Sequence, residues 1–152
     1  MDPVEWNQVS AFTGPEASPG FLLWKVSTQW RRKIETALET LDLTHPQFVL
    51  LAGVSWLTRN GNRVTQVELA KHCGTDITMT SQVLRLLEKK GLLNRERQGN
   101  DERSKFPRVT ELGGELIEKA IPLVESIDRQ FFGTLGEELQ ACVSILQHLG
   151  KK

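Results

Sequence analysis

The chain has 152 residues, enough for one domain with its own apolar core and too few for two. With 39% hydrophobic and 25% charged residues its composition is that of a globular protein, and no apolar run approaches the roughly 18 residues of a membrane span. Nineteen Lys/Arg balance nineteen Asp/Glu, so a uniformly basic nucleic-acid binder is excluded and any such role must rest on how charge is distributed.

Residues 1–20 hold Pro3, Gly14-Pro15 and Pro19-Gly20 with little periodicity, which predicts an arm or a loosely packed lead-in. No basic start followed by an apolar stretch marks a secretory signal there, and two cysteines make no disulfide framework, so the expectation is a soluble cytoplasmic protein. From Phe21, Leu23, Val26, Trp30, Ile34, Leu38 and Leu41 recur at three- and four-residue spacing and predict a long amphipathic helix over 21–41. Thr44-His45-Pro46-Gln47 reads as a capping box with proline in the tolerated first turn, opening a helix with Phe48, Leu50, Leu51, Val54 and Leu57.

A second capping box, Thr65-Gln66-Val67-Glu68, opens a short helix with Leu69, Ala70 and Cys73 inward. Gly74 breaks it, Thr75 or Asp76 caps the next, and that helix runs to Lys90 and stops at Gly91. Two short helices joined by a tight glycine turn are a helix-turn-helix pattern. Residues 92–97 and 105–109 then predict two strands around the polar loop 98–104, with Pro107 confining the return strand to an edge. Thr110 caps a long helix that Pro122 should kink rather than end, and Gly133 and Gly136 set off a last helix with Leu139, Val143, Leu146 and Leu149 on one face. The predicted fold is mainly α with a small β-hairpin wing: a winged helix-turn-helix over 21–150, its reading head at 63–110. Helices at 21–41 and 111–150 form a dimerisation layer.

Between Arg59 and Val109 eleven Lys/Arg face six Asp/Glu, a surplus of five that the two flanks cancel. A basic middle between acidic ends fits either a DNA-facing module on a scaffold turned away from the phosphates or an ordinary solvated surface.

Five segments bear a resemblance in order and spacing. Leu43-Thr44-His45-Pro46-Gln47-Phe48, Thr65-Gln66-Val67-Glu68-Leu69-Ala70, Leu87-Glu88-Lys89-Lys90-Gly91-Leu92-Leu93-Asn94-Arg95, Asp101-Glu102-Arg103-Ser104 and Val109-Thr110-Glu111-Leu112-Gly113 together resemble the MarR (multiple-antibiotic-resistance regulator) family over about residues 20–150. The resemblance implies a homodimer held by the first, fifth and sixth helices on a roughly palindromic operator of double-stranded DNA. It also implies release by a small, often phenolic, ligand or by cysteine oxidation.

On the helix over 76–90, Ile77, Thr80, Leu84 and Leu87 share one face, which leaves Thr78, Met79, Gln82, Arg85 and Lys89 outward or at the edges. Gln82 suits the edge of adenine, Thr78 a base edge or a phosphate, and Met79 a thymine methyl. Ser81 and Arg85 suit phosphates, which position without specifying. Alternatively Met79, Val83 and Leu86 form a second buried stripe. In the wing, Arg97, Arg103 and Lys105 surround Gly99-Asn100, either as DNA contacts or as a solvated hairpin. By resemblance Arg103 enters the minor groove or stabilises the wing through Asp101.

His45, His72 and His148 lack metal-ligand spacing, and no phosphate loop, nucleophile elbow or carboxylate pair is present, so neither an enzyme nor a cofactor is expected. Cys73 reads as a packed thiol rather than a sensor, and Cys142 as packing or a meeting with its symmetry mate. The family's oxidation-sensing branch places its cysteine near the first helix, where this chain has none. Trp24, Trp30, His45, Phe48 and Trp56 read either as core aromatics or as a pocket for a small aromatic ligand. Three functions follow: a ligand-released repressor, a DNA-binding regulator without a ligand, and a winged helix used for protein–protein contact.

Overall fold

The central helices of this chain start at side-chain oxygens that accept the otherwise unpartnered amides of a first turn. The computed structural model describes residues 3–97 and 105–151. Among them the order is α1 (Trp6–Val9), a 3-10 turn (Pro15–Ala17), α2 (Pro19–Glu39), α3 (His45–Thr58), α4 (Gln66–Cys73), α5 (Ile77–Lys89), β1 (Leu93–Arg97), β2 (Lys105–Val109), α6 (Glu111–Phe132), a second 3-10 segment (Gly133–Glu138) and α7 (Leu139–Leu149). Thr44 and Thr65 each close a capping box, with Gln47 and Glu68 reaching back. Thr110 accepts from the Gly113 amide and donates its own hydroxyl to Gly91 O at 2.7 Å, which ties the start of α6 to the end of α5.

The chain divides into two units, Met1–Lys33 and Ile34–Lys152, with the division inside α2. In the first unit none of the described residues is buried. The expected lead-in carries α1 and the 3-10 turn, and α2 begins at Pro19 rather than Phe21. Proline lacks only an amide that a first turn leaves unpaired. The apolar stripe predicted along this helix is inward for only part of its length. Ile34 and Leu38 are wholly buried, but Leu23 is 58% and Val26 44% exposed.

The second unit holds the core. Leu50, Leu51 and Val54 of α3, Leu69 of α4, Leu84 and Leu87 of α5, Leu93 of β1 and Ala120 of α6 are all but inaccessible to solvent. Burying one side chain of leucine size stabilises by about 2 kcal/mol, so this cluster carries the fold. β1 and β2 pair antiparallel, with Leu93 opposite Val109, Arg95 opposite Pro107 and Arg97 opposite Lys105. Pro107 is buried and sits in a two-stranded sheet, where β2 owes hydrogen bonds to one neighbour only. Gly113 lets α6 meet the hairpin: a Cβ there would overlap the carbonyl oxygen of Leu92 and press on Val109 Cγ1 at 2.9 Å. α6 continues through Pro122, while α7 has no buried residue and exposes Leu139, Val143, Leu146 and Leu149, its predicted apolar face.

Candidate nucleic-acid interface

The turn between α4 and α5 is three residues long, and each has a task. Gly74 takes the left-handed conformation (φ +68°) that ends α4 without a steric penalty. The Thr75 amide bonds Ala70 O at 2.9 Å, and Asp76, not Thr75, caps α5, with its Oδ1 accepting from Met79 N at 2.7 Å. The Thr75 hydroxyl is engaged elsewhere. It lies 2.7 Å from that of Thr80, which is fully buried and donates its own proton to Asp76 O at 2.7 Å. Thr80 has one proton to give, so Thr75 is the donor between the two hydroxyls.

With the buried edge fixed, the other edge of α5 faces out. Thr78, Gln82, Arg85 and Lys89 are exposed, Met79 and Ser81 half-buried, and Arg85 Nη2 donates to Ser81 Oγ at 3.0 Å. Two assignments on this helix need correction. Ile77 is not inward: it is 47% exposed, and Val83 joins Thr80, Leu84 and Leu87 on the buried edge instead. The first turn of α5 carries Ile77 past the packed edge. The alternative stripe of Met79, Val83 and Leu86 is not buried as a set, for Leu86 is 49% exposed.

Side chains outside the outward edge hold α5 in place. Arg95 of β1 places Nε 3.0 Å from Glu88 Oε1 and Nη2 3.4 Å from Ser81 O, gripping the helix at points two turns apart. The same contact neutralises a carboxylate on a helix otherwise offering cations. At the end of α5, Lys90 Nζ donates to Asp42 O and, at 3.0 Å, to Gln47 Oε1, the oxygen that also completes the α3 capping box. In the hairpin, Arg97 and Lys105 occupy opposed positions where β1 ends and β2 begins. Asp101 and Arg103 lie outside the described residues.

The aromatic residues singled out for a pocket belong to both units. Trp24 is 69% exposed in the first unit, which also contains half-buried Trp30. In the second unit His45 is buried and Phe48 half-buried at the start of α3, whereas Trp56 stands near its end under the Arg59 guanidinium, 3.5 Å from the ring centroid. Eleven residues of helix rise about 16 Å, so one small ligand cannot touch both His45 and Trp56, and Trp56 leaves the proposed set. Cys73 is half-buried with Sγ 3.8 Å from Val49 O, and burial pushes its thiol pKa up, away from the reactive thiolate. Among the described residues no His/Cys/Asp/Glu group could hold a metal, and no helix is long and apolar enough to cross a membrane. The grip of Arg95 on α5 was missed from sequence, where its only signal is an arginine four residues past the helix stop.

The MarR family model matches residues 43–105, the span from the α3 cap into the wing. An HTH-type transcriptional regulator of Bacillus subtilis (strain 168), YdcH, is 46% identical over 129 residues, covering 85% of this chain and 86% of its own. Wild-type MarR from E. coli in its apo form superposes with a TM-score of 0.68 at 25% identity, over 87% of this chain and 96% of that one. The Mycobacterium tuberculosis MarR family protein RV2887, in complex with p-aminosalicylic acid, gives a TM-score of 0.68 at 29% identity, over 89% of this chain and all of that one.

Proposed function

Because this chain belongs to the MarR family of transcription regulators, we propose that it represses a nearby operon as a homodimer, each protomer laying α5 in a major groove. The outward edge of α5 carries this reading: Thr78, Gln82, Arg85 and Lys89 exposed on a helix whose other edge is locked into the core. Base contacts come from Thr78, Met79 and Gln82, with Ile77 beside them as a further apolar surface for a thymine methyl. Ser81, Arg85, Lys89, Arg97 and Lys105 contact phosphates, and Arg103 enters the minor groove, held by Asp101. A two-fold dimer spaces the two helices about 34 Å apart, one turn of a palindromic site. The dimer is supported by the apolar faces that α7 and the first turns of α2 leave open.

Release by a small aromatic acid is part of the same proposal. It draws on the p-aminosalicylic acid complex of the M. tuberculosis relative and on His45 and Phe48, which stand together at the start of α3. Binding to the duplex upstream of the chain's own gene, measured at two salt concentrations, tests the DNA reading. Phosphate contacts make real binding fall steeply with salt, whereas a winged helix serving protein contact shows no such fall. Gln82→Ala should lose about 10-fold in affinity for the specific duplex, with a much smaller loss on random duplex. An equal loss on both would remove Gln82 from base reading. A thermal shift with phenolic acids separates a ligand-released regulator from one without a ligand.

A further inference from the structure

The loop between α3 and α4 reads Arg59-Asn60-Gly61-Asn62-Arg63, two arginines around a tight turn with Gly61 at φ +82°. Both guanidinium groups rest on aromatic rings. Arg59 covers Trp56 of its own helix, and its Nη1 donates to Trp56 O at 2.6 Å. Arg63 reaches further: its guanidinium carbon is 5.3 Å from the ring centroid of Phe106, 43 residues on, in the second residue of β2. Leu93 and Pro107 turn into the core, so by strand alternation Phe106 and its cross-strand partner Glu96 belong to the opposite face of the hairpin.

The nearby carboxylates are already engaged. Glu68 Oε2 accepts from Thr65 N at 3.0 Å in the α4 capping box, and Glu96 Oε2 accepts from Arg108 Nε at 3.0 Å. Among the described residues Arg63 forms no ion pair within 4.0 Å. A guanidinium held near a ring face by cation–π attraction still has its fork of N–H groups to offer, which can grip phosphate through two parallel hydrogen bonds. The ring contact also limits the side-chain freedom lost when an anion arrives.

We propose that Arg63, braced on Phe106, is a phosphate-binding point at the base of the wing, separate from the contacts of α5. It grips the DNA backbone beside the groove that the wing tip enters. This rests on the DNA-binding reading above, and it lengthens the footprint on each half-site without adding base discrimination. Arg59 on Trp56 belongs to the same basic loop but is tied to its own helix end, so its share is smaller.

Binding isotherms across a salt series, on the upstream duplex and on a random duplex of equal length, test this. With one fewer phosphate neutralised by each protomer, Arg63→Gln should lower the slope of log K against log salt by about 2 for the dimer, since each phosphate contributes about 0.9. The affinity ratio between the two duplexes should stay as in the unmodified protein. Arg63→Lys, which keeps the charge but not the fork, should restore most of the slope while binding more weakly. A wild-type slope in Arg63→Gln, with a lowered melting temperature, would make Arg63 a brace for the hairpin and overturn the proposal. An unmodified protein with no salt-dependent binding would instead sink the DNA reading, and this inference with it.

Discussion

The reading head and the two chain ends solve the burial of apolar surface in opposite ways. Between Leu43 and Leu93 the helices share one core, and Leu50, Leu51, Leu69, Leu84, Leu87 and Leu93 are essentially sealed from water. At the ends, Trp6, Phe12, Phe21, Leu23 and Trp24 on one side of the sequence, and Leu139, Val143, Ile145, Leu146 and Leu149 on the other, stay open to solvent. Apolar faces this dense are costly to leave wet, and the proposed dimer would cover them.

The sharpest way to break that contrast is to charge the open face of α7. Val143→Asp with Leu146→Asp should leave the helical circular dichroism of the head intact and halve the mass seen by light scattering. With the second half-site lost, operator affinity should drop by about 100-fold or more. An unchanged mass would mean that these residues are not where two copies meet. Next comes the closed region. Gly113→Ala forces a Cβ onto the Leu92 carbonyl and should cost about 2–3 kcal/mol, read as a lower melting temperature with the oligomeric state unchanged.

The smallest effect concerns Cys73 and alkaline pH. Burial raises its folded-state pKa, so the thiol's stabilising contribution is complete below the ordinary thiol pKa and is lost as pH rises through the raised value. Denaturant unfolding of the unmodified protein should therefore weaken at alkaline pH, and Cys73→Ala should flatten that decline. Parallel curves for the two proteins would show the thiol to be as solvated as in the unfolded chain.

What could be read in advance follows from the range of the interaction. The boxes at Thr44 and Thr65 and the cap at Thr110 involve partners three residues apart, so a sequence shows them directly. The hairpin was legible for a related reason: apolar residues flank a polar loop, and Pro107 limits where a strand can sit. The choice between Thr75 and Asp76 as the α5 cap was not, because both are cap residues and only the path of the turn decides whose oxygen reaches the Met79 amide. Ile77 shows the limit of periodicity, which identifies an apolar stripe but not where the neighbouring elements stop covering it. The stripe along α2 fails the same way, buried at Ile34 and Leu38 and open at Leu23. Arg95 on Glu88 crosses from strand to helix, and Arg63 on Phe106 joins segments 43 residues apart, so neither pattern is visible along the chain.

The hydroxyl pair inside the helix-turn-helix has a mechanical consequence. The Thr75 amide bonds back to Ala70 O of α4 while its hydroxyl bonds forward to Thr80 of α5, so swinging α4 against α5 costs one of these two bonds in a partly buried turn. The two helices are therefore stiff as a pair, and repositioning on DNA has to carry them together, as one lever turned from its far end.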